Sequence, residues 1–329
     1  MNILVLGDGG WGTALALLLD KNGHNVTLWS NFADYARIMA KKRENTKFLP
    51  GIKLPYSIKI DWSLEIGHCS LDLIVMAIPT QYVRVVLTKI KPNIRTIPIV
   101  SVAKGLEMKT LKRPSQIIKE VLGTDKIGVI SGPSHAEEVS RGLPASVVIA
   151  SNDKKLAQLA QNAFMNNHFR PYTNSDIIGV ELGGALKNII AIAAGICDGL
   201  KLGDNTKSAL LTRGLAEIAR LGKAMGGKTK TFSGLAGIGD LITTCISPHG
   251  RNRKVGIALG QGKTLSQILA SMQMVAEGVW TTKAVVKLAK QYKTEMPITK
   301  EVHAVLFRNK NPRLAVRDLM RRPPKSEEE

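Results

Sequence analysis

Residues 1–22 read MNILVL, then GDGGWG, then TALALLLDKN. The first six residues are an apolar run. Residues 7–12 are a glycine-rich turn, and residues 13–22 carry apolar side chains at helical spacing. Strand, glycine turn and helix in that order are the context that gives G-x-G-x-x-G its meaning. Gly7 permits the tight turn, Gly9 lets a pyrophosphate approach the backbone, and Gly12 lets the helix pack close to the strand. The unpaired N–H groups and the dipole at the helix N-terminus then favour phosphate. Residues 25–29 (NVTLW) supply the second strand of a βαβ unit. This stretch predicts an N-terminal dinucleotide-binding fold.

Further strand-like runs follow at residues 72–78 (DLIVMAI), 96–102 (TIPIVSV), 126–131 (KIGVIS) and 145–150 (ASVVIA). They alternate with helical segments such as 81–90 and 111–122. That alternation predicts an α/β architecture with a doubly wound, mostly parallel Rossmann-type sheet. Ligands of such sheets lie outside the carboxyl ends of the strands. Residues 79–81, 104–105 and 132–134 are therefore expected to face one crevice. Lys104 is the one charged residue among them.

The character changes near residues 173–178, and helical segments follow. The expected division is a dinucleotide-binding domain, 1–177, and an all-α substrate-binding and catalytic domain, 178–329. Residues 179–194 (GVELGGALKNIIAIAA) form a helix of small residues that includes Lys187 and Asn188. A lysine in a tightly packed helix is costly without a polar partner. Desolvation lowers its pKa, which suits proton transfer near neutral pH. Residues 208–225 read as a further helix with Glu217 and Arg220 on its surface. Asp240, Thr243, Thr244, Gly250, Arg251 and Asn252 are expected to share a polar loop. Residues 275–278 (VAEG) read as a turn, and the tail from residue 321 lacks apolar anchors and is expected to fray.

The chain has 329 residues, 44% hydrophobic and 5% aromatic. No uninterrupted apolar run approaches the roughly 20 residues of a membrane span, and no signal peptide is read. Cys69, Cys197 and Cys245 form no C-x-x-C pair, which suggests neither zinc nor a disulfide framework and fits a reducing cytoplasm. A net charge of +20 points to anionic partners. Nucleic acid is one class, but its binding calls for exposed aromatics among clustered bases, and aromatics are scarce here. Phosphorylated small molecules are the other class. After residue 29 the chain reads Ser30-Asn31, without the acidic residue of an NAD-selective site. That leaves room for a 2′-phosphate near Arg37 or residues 41–43, a slight lean toward NADPH.

In these motifs the chain resembles the soluble NAD(P)-dependent glycerol-3-phosphate dehydrogenases of bacteria. The resemblance runs to about residue 319. It rests on the glycine loop with its ALA continuation and on Ala103-Lys104-Gly105-Leu106-Glu107, residues 130–134 (ISGPS) and 181–188 (ELGGALKN). Residues 237–241 (GIGDL), 250–253 (GRNR) and 275–278 (VAEG) complete it. Asp8 and Gly10 depart from the residues more usual in that loop. The resemblance implies interconversion of sn-glycerol 3-phosphate and dihydroxyacetone phosphate with NAD(P)(H), supplying glycerophospholipid synthesis. It implies Lys187 as the proton-transfer residue, Lys104 polarising the carbonyl oxygen, and Asp240 orienting both lysines. Gly132, Ser134, Asn188, Thr244, Gly250, Arg251 and Asn252 would join them around the substrate. Gly7, Gly9, Gly10, Trp11, Gly12, Asn31, Lys104, Ala136, Arg251, Val275 and Glu277 would contact the cofactor. No metal is implied, and a homodimer is the expected assembly. A ketopantoate- or hydroxyacid-type reductase would share the glycine loop and a helix lysine, but it leaves residues 250–253 without a role.

Overall fold

The computed structural model describes residues 1–63, 70–272, 275–324 and 326–327, so Cys69 lies outside the described residues. Eight strands form one sheet: β1 (Asn2–Leu6), β2 (Asn25–Trp29), β3 (Lys59–Asp61), β4 (Leu73–Met76), β5 (Ile99–Ser101), β6 (Ile127–Ser131), β7 (Ala145–Ser151) and β8 (Phe169–Asn174). Their order is β3-β2-β1-β4-β5-β6-β7-β8. All neighbours are parallel except β6 and β7. The doubly wound sheet expected from the sequence is therefore present. Its strands are apolar on both faces because both faces are covered. Ile3 and Val5 of β1 pack with Leu15, Leu28 and Val75, while Leu4 and Leu6 pack with Ile74, Met76 and Val83 on the other side.

Two strands carry no strand signal in the sequence. β3 is only three residues long, and β8 reads FRPYTN, with polar residues and Pro171. Both are sheet edges, where one face of the ladder needs no partner and proline is tolerated. The segment expected as a helix from residue 111 begins at Pro114 instead. Leu111 is left-handed (φ 62°), and Pro114 is preset for a first helical turn.

From Ile177 onward the described elements are helical. They are Ile177–Gly199, Gly203–Ala224, Thr229–Phe232, Asp240–Ile246, Arg251–Gly260, Leu265–Ser271, Glu277–Gln291, Pro297–Phe307 and Pro312–Met320, with a π-helical turn at Leu235–Gly239. Ile177–Gly199 is the central helix. It has 23 residues and a mean hydropathy of 1.6, long and apolar enough to cross a membrane by length and composition alone. Uninterrupted runs understate it, because Glu181 and Lys187 break the apolar sequence without ending the helix. It is the core of the helical layer, with 89% of its most apolar window buried.

Helix Arg251–Gly260 lies unusually close to it. A Cβ on Gly256 would stand 2.0 Å from the Ile192 carbonyl oxygen, and one on Gly195 would stand 2.1 Å from that of Arg253. No side chain fits in that seam, so glycine fixes the spacing of the two helices.

Glu217 is not on the surface: it is 2% exposed. The helix Gly203–Ala224 turns it toward the N-terminus of Pro297–Phe307. There its carboxylate accepts hydrogen bonds from Ile298 N (2.5 Å), Thr299 N (3.2 Å) and Thr299 Oγ1 (3.1 Å). A helical-wheel position cannot reveal that a later helix end needs an acceptor. Of the tail, Arg322 is tied to Glu295 at 3.1 Å.

Burial raises the Glu217 pKa from 4.5 to about 7, against the pull of these donors. Between those values the folded state holds a proton that the unfolded chain has released. Stability should therefore fall as pH rises through this window, by at most about 1.4 kcal/mol per pH unit. Glu217→Gln should flatten that part of the stability–pH curve, as read by urea unfolding at pH 5, 6 and 7. An unchanged slope would show that the carboxylate titrates normally.

Candidate active site

The glycine turn adopts the geometry that its spacing requires. Gly7 has φ 113°, and a Cβ there would meet the Ala77 carbonyl at 2.8 Å. A Cβ on Gly12 would lie 2.0 Å from the Gly7 carbonyl oxygen. Gly9 differs, since a Cβ there would meet nothing within 4 Å. Gly9 caps the helix Gly10–Lys21 without a side-chain hydrogen bond, and no acidic residue sits in its first turn. Open space in front of an uncapped helix N-terminus fits a dinucleotide pyrophosphate. Trp11 packs its ring on Phe169 (6.5 Å), and Ala136 stands 3.7 Å from a Cβ built on Gly10. Both therefore flank this turn.

The charged centre lies at the carboxyl ends of β5 and β6. Lys187, 5% exposed, donates to Asp240 Oδ1 and to Thr244 Oγ1 (2.6 Å). Lys104 donates to Asp240 Oδ2 (2.8 Å) and to the Gly132 carbonyl (3.1 Å). Ser131 Oγ (3.2 Å) and Gly132 N (3.3 Å) also donate to Asp240 Oδ2. Burial lowers the Lys187 pKa to about 8, and Lys104 adds to that effect against the pull of Asp240. Burial alone would raise Asp240, but the two lysines outweigh it and hold the carboxyl below its ordinary value.

The wall around this centre draws on both halves of the chain. Asn188 donates to the Lys104 carbonyl at 3.0 Å. Glu277 accepts from Thr80 N at 2.8 Å, and Gly105 is close to both. Burial raises the Glu277 pKa, which Thr80 and Arg251 partly offset. Asn252 Oδ1 accepts from Gly278 N (3.0 Å), and Arg251 donates to the Val275 carbonyl (3.3 Å). Ser134 Oγ donates to the Gly132 carbonyl at 2.9 Å. The three strand-end segments expected to converge do so.

The profile "NAD-dependent glycerol-3-phosphate dehydrogenase N-terminus" matches residues 2–157, and the corresponding C-terminus profile matches 176–317. The chain is 51% identical over 330 aligned residues to glycerol-3-phosphate dehydrogenase (NAD(P)+) of Fusobacterium nucleatum, covering 99% of this chain and 98% of that protein. The chain belongs to this family. The Geobacillus thermodenitrificans member is 52% identical, covering 99% of this chain and 96% of that protein. The crystal structure of Coxiella burnetii glycerol-3-phosphate dehydrogenase superposes with a TM-score of 0.94 at 40% identity, covering 98% and 99% of the two chains.

In this glycerol-3-phosphate dehydrogenase family member the polar cluster expected as one loop is mostly helical. Asp240 and Thr244 stand one turn apart on Asp240–Ile246, and Gly250 caps the helix that carries Arg251 and Asn252. Val275 and Ala276 lead directly into the helix that starts at Glu277. Of the groups offered to a 2′-phosphate, Ser30 already donates to Asp8 (2.7 Å). Arg43 is bound to the carbonyls of Leu54 and Ile58, and Arg37 pairs with Asp34. Asn31 is exposed. Sequence reading did not foresee Ser131 as a donor to Asp240 or Thr80 as the partner of Glu277. Ser131 ends β6 and Thr80 opens the helix Thr80–Ile94, and only the fold brings them to their acceptors.

Gly9→Val and Gly12→Val should behave oppositely. Gly9→Val should fold with a near-wild-type Tm and lose dinucleotide affinity, because the side chain fills the space in front of the helix. Gly12→Val should fail to fold, since its Cβ overlaps backbone. Thermal melts and NADPH fluorescence titration check both, and full affinity in Gly9→Val would remove the pyrophosphate from this turn.

Proposed function

We propose that this chain catalyses the interconversion of sn-glycerol 3-phosphate and dihydroxyacetone phosphate with NAD(P)(H). The observation that carries the reading is one buried carboxylate, Asp240, shared by Lys104 and Lys187 at the sheet's carboxyl edge. Two cations and one anion leave the centre one positive charge in excess, which suits a phosphorylated substrate. Each ammonium has three N–H donors. Two on each lysine have partners among the described residues, so one on each remains for substrate oxygen.

In this reading Lys187 takes the proton of the C2 hydroxyl in oxidation and returns it in reduction. Lys104 stabilises negative charge on the same oxygen. Asp240 orients both lysines, and Thr244 and Asn188 hold the wall beside them. Arg251, with the backbone of Gly250 and Asn252 at an uncapped helix N-terminus, binds the phosphate. Gly132 and Ser134 shape the floor. Gly7, Gly9, Gly10, Trp11, Gly12, Asn31, Lys104, Ala136, Arg251, Val275 and Glu277 hold the dinucleotide. When bound, it supplies the hydride acceptor or donor.

We divide the chain at residues 177 and 178, where the sheet gives way to helices. We also read it as a cytoplasmic homodimer that feeds glycerophospholipid synthesis. Family membership supports that reading, and sedimentation analysis decides the assembly. The deciding assay is oxidation of NADH and NADPH, side by side, with dihydroxyacetone phosphate.

Lys187→Met should keep cofactor affinity and lose kcat by at least about 100-fold, the low end for a general acid–base group. In the wild type, glycerol 3-phosphate oxidation needs the neutral amine, so its rate should rise with pH to a plateau above about 8. Reduction needs the ammonium and should decline over the same range. A pH profile that is flat from 7 to 9 in both directions would exclude Lys187 as the proton carrier.

Arg251→Ala should raise the KM for dihydroxyacetone phosphate by about 10- to 150-fold, the loss of one charge-assisted hydrogen bond of roughly 1.5–3 kcal/mol. Cofactor affinity, titrated separately, assigns the effect to one ligand or the other. An unchanged KM would place the phosphate elsewhere.

A further inference from the structure

Two polar atoms around the lysine centre have no partner among the described residues, Thr80 Oγ1 in the Glu277 wall and His135 Nε2. His135 Nε2 is buried and makes no hydrogen bond among the described residues. His135 follows Ser134 in the segment after β6. That segment is fastened to the charged centre, because Gly132 N donates to Asp240 and the Gly132 carbonyl accepts from Lys104. The His135 ring also meets His249, 5.9 Å between centroids and tilted by 54°. His249 directly precedes Gly250 and Arg251, the residues read here as the phosphate end. His135 is thus placed where the reacting end and the phosphate end of a three-carbon substrate meet.

The chemistry of the unpaired atom is defined. Burial, and then the charge of Lys187, hold the His135 pKa below 6.5, so the ring is neutral near pH 7. The Thr243 backbone and the carboxylates of Glu137 and Glu138 pull the other way without reversing the direction. A neutral imidazole carries one N–H and one lone pair, and in the Nδ1–H tautomer the unpaired Nε2 is a lone-pair acceptor. A buried acceptor without a donor is costly unless a ligand supplies one.

The substrate assigned above supplies one. Dihydroxyacetone phosphate offers a carbonyl oxygen and phosphate oxygens, which accept, and a single donor, the C1 hydroxyl. Lys104, Lys187 and Arg251 are all donors and cannot receive it. Asp240 already accepts from Lys187, Lys104, Ser131 and Gly132. We propose that His135 Nε2 accepts the hydrogen bond of the substrate's C1 hydroxyl and thereby selects for a hydroxylated C1. The proposal rests on the dehydrogenase reading and deepens it by naming a specificity-determining residue. A site built around a substrate hydroxyl rejects the analogue that lacks it, because its own polar atom is left unpaired.

The test compares reduction of dihydroxyacetone phosphate with that of acetol phosphate, its 1-deoxy analogue. Full-length wild type, His135→Phe and His135→Gln are used, with thermal melts and NADPH titration on each. The wild type should favour dihydroxyacetone phosphate in kcat/KM by at least about 100-fold. His135→Phe should compress that ratio to about tenfold or less, by losing activity on dihydroxyacetone phosphate while acetol phosphate is nearly unaffected. His135→Gln, whose carboxamide oxygen accepts, should recover part of the preference. A wild type without preference, or a folded His135→Phe that keeps the full ratio, overturns the proposal. If His135→Phe does not fold, His135→Gln decides: its ratio must exceed about tenfold, and a smaller one overturns the proposal. Failure of the wild type to reduce dihydroxyacetone phosphate at all would instead overturn the dehydrogenase reading.

Discussion

The structure around the crevice depends on one buried negative charge. Asp240 is 1% exposed and lies between two ammonium groups, one from a strand end and one from the central helix. An isolated carboxylate there would be protonated, and isolated lysines would be neutral. Held together, Asp240 stays ionised, and its pull limits to about 8 the fall that burial imposes on Lys187. The pair interaction therefore sets the protonation states as well as the positions. It also joins the sheet to the helical layer, since Lys104 follows β5 and Asp240 opens a helix 136 residues later.

The second constraint is backbone proximity. Gly195 and Gly256 let two helices approach until a methyl group would not fit. The central helix carries Lys187 and Asn188, and its neighbour starts with Arg251 and Asn252. Their spacing sets how far the proton-transfer end of the crevice lies from its anionic end. Glu181, farther back on the central helix, binds Ser115 N (2.7 Å) and Arg113, which ties the same helix to the sheet side. A helix tied near its start by Glu181 and seated farther along in the Gly195 seam holds its lysine in a defined orientation.

Much of this was legible in the chain. The glycine turn announced its geometry because each glycine answers a separate steric demand, and periodicity exposed the strands buried on both faces. Lys187 was conspicuous because lysine conflicts with a helix of small residues. Legibility failed where the reason for a residue lay in a distant segment. Glu217 looks like a surface carboxylate until the end of Pro297–Phe307 is seen beside it. β3 and β8 are edges, recruited by the strands next to them rather than by their own composition. The cluster at residues 240–252 was read as a loop because polar residues dominate it, although Asp240, Thr244 and Asn252 are buried on helices and Arg251 is exposed at a helix start.

The π-helical turn Leu235–Gly239 ends at Asp240. Such a turn holds one residue more than an α-helical turn, and these insertions recur at functional sites. Each residue of an α-helix advances the side-chain direction by roughly 100°. Removing one residue from this turn without a compensating change in winding would swing position 240 away from both lysines by about that angle. The segment's length thus acts as an angular setting for the carboxylate. Substitutions here alter chemistry one side chain at a time, whereas a single-residue deletion would disconnect the whole charged centre.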